Sequence, residues 1–288
     1  MKKFRLFVLV LIVFMFTIPT FVSAESIPFS TGGKTGMYAN ALFNTFNKHV
    51  MSLSDGEYEL ENIYSKGTSD TLAKIKKGDA MGGFIQMCGL VTDTDMVVEP
   101  IAPVLYELAH LVVPSKGGKV GDIDDLESNK KNSVGIAPMS GSAITFSVFV
   151  KEDKDYKNAQ IVPAAGMRAF ASMTSGDLDS IFWVSGPKTK MIQSVNKNEF
   201  LKFASVDDGD FDDFKWKGKK LYNFVKVGKK EGYKNSFKTI AVPAIVVFDT
   251  KYLQEHEAEG LFDILFMAAE ATRAEIKAKL QLKYYPTK

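Results

Sequence analysis

Two long apolar runs of extended character divide the chain and constrain its architecture more than any other feature. The first, LYELAHLVV, covers 105–113, and the second, TIAVPAIVVF, covers 239–248. Short β-branched or aromatic runs alternate with helical patterns before the first run and again between the two. Such alternation is typical of βαβ units with a largely parallel sheet. If the second series is inserted into the first, the two runs are the crossovers between two lobes. That geometry leaves a cleft between the lobes, where small ligands tend to bind.

The pattern also predicts individual elements. In the first series it predicts strands over 58–64 and 81–86 and helices over 39–46 and 70–77, with Ser69 as the N-cap of the second helix. In the second series it predicts strands over 133–136, 160–162 and 178–184 and helices over 141–150, 165–174 and 188–195. The lysine- and glycine-rich stretch 207–236 is interpreted as surface excursions, and 257–282 as one long amphipathic helix.

The first residues have the pattern of a secretory signal. Three basic residues lie within the first five positions, an apolar run covers 6–16, and small residues occupy 22–24. The run is shorter than the roughly 18 residues that indicate a membrane span. We therefore expect residues 1–24 to be a signal peptide cleaved after Ala24, with the protein exported to the periplasm. The absence of a cysteine near that site argues against a lipid anchor.

Charge and composition exclude several functions. Removing 24 residues from the 288-residue chain leaves 264, enough for one large domain or two modest ones. The same removal takes away three basic residues and no acidic one, so 36 basic and 34 acidic residues become 33 and 34, and the chain is left almost without net charge. No clustered basic surface is indicated, so we expect no nucleic-acid partner.

Cysteine and histidine placement gives no metal or cofactor site. Cys88 is the only cysteine and lies in an apolar run, which favours a buried, inert thiol. His49, His110 and His256 are far apart in sequence and match no ligand spacing. No P-loop, dinucleotide fingerprint or nucleophile elbow is found, and we expect neither metal nor cofactor.

A glycine-rich turn, STGGKTGMY over 30–38, lies between a short extended segment and a helical run. Its glycines permit close approach of a ligand to the backbone, and free amides at a helix start attract anions. A structural turn without a ligand fits the pattern equally well. The candidate binding residues are Thr31, Gly32, Gly33, Lys34, Thr35 and Tyr38.

A second turn, SVGIAPMSGS over 133–142, has the same layout of strand, small residues and helix. Ser140, Gly141 and Ser142 offer hydroxyls and amides, although a plain N-cap explains them equally well. With one such turn in each series, both helix starts would point into a single cleft.

Five segments, in order, resemble the solute-binding proteins of tripartite ATP-independent periplasmic (TRAP) transporters, in their TAXI class. They are STGGKTGMY, GTSDTLAKIKKGDAMGGFIQ over 67–86, the stretch from LYELAHLVV to SVGIAPMSGS, GDLDSIFWVSGPKTKMIQSV over 176–195, and VPAIVVFDTKYL. The resemblance covers most of the chain after the signal. It departs from the class at Ala39, Met87, Met139 and Ser142, and at Gly186, which Pro187 follows directly.

The resemblance implies an α/β, two-lobed periplasmic-binding-protein fold of type II, with two crossover strands and a central ligand cleft. One lobe would comprise 25–112 with 241–288, and the other 113–240. Gln86, Trp183 and Ser185 would complete the cleft walls, although a core tryptophan is an equal alternative. Arg168 is a candidate carboxylate clamp or an exposed residue.

The implied function is capture of a small organic anion, such as a carboxylate, glutamate or a dicarboxylate, for delivery to a TRAP permease driven by an ion gradient. Neither turn contains His, Asp or Glu to serve as a base, which argues against an enzyme and leaves no catalytic residue to name. The alternatives are a transferase or isomerase on a similar fold, and an exported antigen or sensory binding protein without transport.

Overall fold

The fold is a mixed α/β architecture, and the computed structural model describes residues 24–92, 97–128, 131–186 and 189–280. The predicted signal peptide, up to residue 23, lies outside these ranges. Across the described ranges, no helix combines the length and the apolar character needed to cross a membrane.

The first series forms a parallel sheet with helices between its strands. Its strands are β1 (Glu25–Ser30), β2 (Tyr58–Ile63) and β3 (Gly82–Gln86). A π-helical turn, Tyr38–Leu42, continues into α1 (Phe43–Leu53), and α2 (Thr68–Lys77) and the short α3 (Gly89–Thr92) follow. Strand β1 lies between β2 and β3 and runs parallel to both. The long β4 (Val98–Pro114) then leaves this series.

The second series repeats the arrangement. Its strands are β5 (Ser133–Ile136), β6 (Gln160–Pro163) and β7 (Ser180–Ser185), with helices α4 (Gly141–Glu152), α5 (Gly166–Ser175) and α6 (Lys190–Lys197). Strand β5 runs parallel to both β6 and β7.

The rest of the chain returns to the first series. Its strands are β8 (Leu201–Ala204), the hairpin β9 (Lys215–Trp216) and β10 (Lys219–Lys220), β11 (Asn223–Val227) and β12 (Phe237–Asp249). Helices α7 (Thr250–Glu255) and α8 (Leu261–Leu280) follow. Short 3₁₀ turns cover Asp124–Leu126, Lys154–Asn158, Gly209–Asp212, Lys229–Glu231 and Glu257–Glu259.

The two long strands join the two parallel series. The sheet order is β2-β1-β3-β12-β4-β7-β5-β6, with β11 beside β12 and β8 beside β4. Strands β4 and β12 are antiparallel to each other; β12 is also antiparallel to β3, and β4 to β7. Each series thus keeps its own parallel strands, and the antiparallel pair connects them.

Aromatic side chains fill the core on both sides of this pair. Phe29 packs against Phe84 at 4.8 Å and against Phe248 at 5.6 Å between ring centroids. In the second series, Phe149 stacks on Phe211 at 4.2 Å. All five rings are almost fully buried, so burial of apolar area dominates the stability of both series.

Three expectations need correction. Helix α2 begins at Thr68, so Ser69 lies inside its first turn and Gly67 is the N-cap, with φ at 137°. The stretch 207–236 contains strand β11 and the buried Phe211, because apolar residues between its lysines pack into the core. The terminal helix begins at Leu261, because Gly260 in the left-handed conformation separates it from the preceding turn.

Strand β3 gives a test of how tightly the first series packs. A Cβ on Gly83 would lie 2.7 Å from the Ser30 carbonyl oxygen and 2.5 Å from Thr71 Cγ2. We therefore expect Gly83→Ala to lower the free energy of unfolding by about 1 to 3 kcal/mol through overpacking. Gly209→Ala is the control, because a Cβ there meets no atom within 4 Å. Urea denaturation measures both, and equal midpoints for the two variants would contradict the prediction.

Candidate functional site

A cavity of about 250 Å³ lies where the parallel strands of both series end. Thr31 directly follows β1, Gln86 ends β3 and Ser185 ends β7. In open α/β sheets, ligands bind outside the carboxyl ends of the strands, which is where this cavity lies. The lining residues are Thr31, Gly32, Gly33, Gly36, Met37, Tyr38, Gly67, Thr68, Phe84, Gln86, Glu107, Gly141, Val184, Ser185, Gly186 and Thr189.

The first glycine turn is held in place by amide side chains. Thr31 Oγ1 donates to Asn62 Oδ1 at 2.8 Å. Asn40 Nδ2 donates to the carbonyl oxygens of Lys34 at 2.9 Å and Gly36 at 2.7 Å. These bonds use one hydroxyl and two carbonyl groups of the turn and hold it against its neighbours.

Two other glycines let the starts of α2 and α4 approach the cavity. A Cβ on Gly67 would lie 2.7 Å from the Met139 carbonyl oxygen, and a Cβ on Gly141 would lie 2.5 Å from the Gln86 side-chain nitrogen. Gly67 meets backbone and has φ at 137°, so only glycine fits there, whereas a side chain at position 141 would displace the Gln86 amide. The amino ends of both helices therefore lie at the same cavity, one from each series.

The serine hydroxyls of the second turn are used within the protein. Ser140 Oγ donates to the Ala137 carbonyl oxygen at 2.6 Å and accepts from the Ala143 amide at 3.2 Å. Ser142 Oγ accepts from the Val184 amide at 2.9 Å. These bonds form the N-cap of α4 and fix the end of β7, and neither serine lines the cavity.

The structure brings together the greater part of the predicted site. The predicted residues that line the cavity are Thr31, Gly32, Gly33, Tyr38, Gln86, Gly141 and Ser185. Those outside its lining are Lys34, Thr35, Ser140, Ser142 and Trp183.

Among the residues outside the lining, two side chains have other aromatic contacts. Lys34 is exposed, with Nζ 5.9 Å from the centre of the Tyr64 ring. Trp183 stacks on His110 at 5.1 Å between ring centroids and donates from Nε1 to Ser185 Oγ at 3.2 Å. The alternative clamp, Arg168, is exposed on α5.

Sequence reasoning missed the acidic group of the cavity, Glu107. Its side chain lies in strand β4 with only 7% of the residue exposed. The Oε2 atom accepts from the Tyr38 hydroxyl and from Gln86 Nε2, each at 2.8 Å. The backbone amide of Gly186 also hydrogen-bonds this carboxyl group. Burial raises the pKa of Glu107 above its ordinary value, and these three donors oppose that rise.

Gln86 is oriented by a bond from the second series. Its Oε1 accepts from Thr145 Oγ1 at 2.9 Å, so Nε2 faces Glu107. Cys88 Sγ lies 3.4 Å from the same threonine oxygen. Burial raises the pKa of the Cys88 thiol to about 12, in keeping with the predicted inert cysteine.

A separate acidic cluster lies outside the cavity lining. Carboxylate oxygens of Asp124, Glu127 and Asp208 lie within 4.8 Å of one another. Burial and the hydrogen bond with Asp208 raise the pKa of Glu127 to about 8. Asp208 also accepts from the Tyr156 hydroxyl at 2.8 Å.

With this geometry established, comparison with known proteins identifies the family. The model of the NMT1-like family matches residues 29–257, which include every residue of the cavity lining. The chain belongs to the NMT1-like family. No curated protein matches this NMT1-like chain in sequence.

Solved structures show the fold of this NMT1-like protein. The VFT2 domain of BvgS from Bordetella pertussis has a TM-score of 0.54 at 12% identity, over 89% of this chain and 92% of that one. A candidate L-cystine ABC transporter protein from Listeria monocytogenes has a TM-score of 0.56 at 12% identity, over 91% and 99%. The periplasmic sulfonate-binding protein SsuA from Methylobacillus flagellatus has a TM-score of 0.54 at 12% identity, over 92% and 75%. The chain therefore has the expected two-lobed periplasmic-binding-protein fold.

The buried carboxyl group makes stability depend on pH in a defined direction. Because the pKa of Glu107 is raised in the folded protein, folding favours its protonated form. The free energy of unfolding therefore falls as pH rises from the ordinary carboxyl pKa through the raised one. We expect Glu107→Gln to remove this loss, so that the variant gains stability relative to the parent as pH rises above the ordinary carboxyl pKa of about 4.

Urea denaturation across this pH range measures the effect. Glu99→Gln is the matched control, because Glu99 lies on the same strand and is exposed. Parallel pH profiles for the parent and Glu107→Gln would contradict the prediction.

Proposed function

We propose that this NMT1-like protein is an extracytoplasmic solute-binding protein that captures a small organic anion, such as a carboxylate or an amino acid, and catalyses no reaction. The observation that carries the proposal is the 250 Å³ cavity between the two series, lined by glycine turns and helix starts. The fold shared with SsuA, a periplasmic sulfonate-binding protein, supports the same function.

We further propose that the protein belongs to the TAXI class and delivers its solute to a TRAP permease driven by an ion gradient. The five ordered segments described above support this assignment. Export by cleavage after Ala24 belongs to the same proposal. Strand β1 begins at Glu25, the residue that would become the new amino terminus.

Attraction for an anion would come from groups at the cavity itself rather than from the net charge of the protein. Across the part of the chain that the structure describes, no lysine, arginine or histidine lines the cavity. The starts of α2 and α4, at Thr68 and Gly141, supply backbone amides and the positive ends of two helix dipoles. Gly33 keeps the first turn open, since no atom lies within 4 Å of the position of its missing Cβ.

The proposed lobes are 25–112 with 241–288, and 113–240, joined by β4 and β12. A Cβ on Gly186 would lie 2.9 Å from the Met37 methyl group, so the walls of the cavity meet across the proposed boundary.

We expect a bound solute to hold the lobes together and an empty cavity to let them separate. Small-angle scattering should then show a smaller radius of gyration with ligand, and an unchanged radius at saturation would contradict hinge closure.

A thermal-shift screen of the exported form against small organic acids and amino acids tests the binding function, because a ligand of the native state raises the melting temperature.

For the acid with the largest shift, we expect Gly33→Val to abolish binding by filling the first turn, and Gly33→Ala to weaken it less. Calorimetric titration measures both. Because a Cβ fits at Gly33, the parental melting temperature without ligand is the control. Parental affinity in Gly33→Val would place the ligand elsewhere.

A further inference from the structure

We propose that Glu107 determines which solutes the cavity accepts, by binding a protonated nitrogen of the ligand. This inference rests on the proposed solute-binding function and narrows it. The preferred solutes are organic acids that also carry an ammonium or amine group, rather than plain carboxylic acids.

The first argument is the position of the carboxyl group. Glu107 lines the cavity, although only 7% of the residue is exposed. Its neighbours in the cavity wall are Tyr38, Gln86 and Gly186, and each donates a hydrogen bond to the carboxyl group. The Gln86 side-chain oxygen accepts from Thr145, so its amide nitrogen faces Glu107. The site therefore presents a fixed acceptor to the ligand.

The second argument is charge. The three donors are a phenol, an amide and a backbone N–H, so they stabilise a carboxylate without neutralising it. The described lining contains no cationic side chain, and no salt bridge among the described residues involves Glu107. A buried carboxylate is costly unless an opposite charge compensates it. A ligand ammonium supplies that charge, whereas a second carboxylate placed there would be repelled.

The third argument is the aromatic wall. The rings of Tyr38 and Phe84 both line the cavity, with centroids 5.8 Å apart and an edge-to-face arrangement. Aromatic faces attract cations and give no comparable attraction to anions. The starts of α2 and α4 favour the negative end of a ligand. The lining thus contains groups that attract each charge, which matches a molecule carrying both.

The experiment compares ligands that differ only in the nitrogen. The pairs are L-glutamate with glutarate, L-alanine with propionate, and L-leucine with 4-methylpentanoate. Calorimetric titration of the parent should show at least about tenfold tighter binding of the amino member, as expected for one charge-assisted hydrogen bond in a buried site. N-acetyl-L-glutamate, which keeps both carboxylates but has no basic nitrogen, should bind as weakly as glutarate.

Variants then assign the preference to Glu107. We expect Glu107→Gln to reduce the preference within each pair to below about threefold, while the exposed Glu99→Gln on the same strand keeps the parental ratio. The parental ligand comparison stands by itself if Glu107→Gln does not fold.

Two results would overturn the inference while leaving the binding function intact. One is equal or tighter binding of the deaminated acids by the parent. The other is an unchanged preference in a folded Glu107→Gln variant. If the parent binds no acid or amino acid of the screen, the inference and the binding function fail together.

Discussion

The antiparallel pairing of β4 with β12 is the interaction on which the rest of the structure depends. Strand β4 pairs with β12 from Val98 to Leu108, and with β7 from Leu108 to Val112. One strand thereby carries the ladder from the first parallel series into the second. All its residues from 104 to 113 are buried, so a change in register would place apolar side chains against the wrong neighbours. Glu107 lies one residue before β4 takes up its second partner, and this position brings an acidic group into the cavity.

Local patterns in the sequence predict the order of the elements well, because buried parallel strands and amphipathic helices leave strong signals. Strand 133–136 was predicted with the observed bounds, whereas β4 begins seven residues before the predicted 105. Pro100 and Pro103 interrupt the β pattern there. The structure accommodates them at two register shifts against β12, where an irregular ladder tolerates a residue that lacks an N–H.

The candidate site was less accessible to sequence reasoning, because its key contacts are long-range. The glycine turns carry a local signal, and Gly32, Gly33 and Gly141 do line the cavity. A serine beside a helix start gives the same signal whether it binds a ligand or caps the helix, as Ser140 does here. A single acid in an apolar run, such as Glu107, has no spacing to mark it. Only the folded chain places it beside Tyr38, 69 positions upstream.

The polar groups around Glu107 also bear on how the proposed binding protein would release its solute. Fixed dipoles hold the carboxylate in position without the full opposing charge that an arginine would provide. If Glu107 binds a ligand nitrogen, the compensating charge leaves with the solute, and the empty cavity retains a buried carboxylate whose protonation burial favours. Gly186 and Thr145 supply two bonds of this network from the second series, to Glu107 and Gln86 respectively. The Thr145 bond to Gln86 crosses the proposed lobe boundary, so we expect lobe separation to break it and loosen the side chain that donates to Glu107.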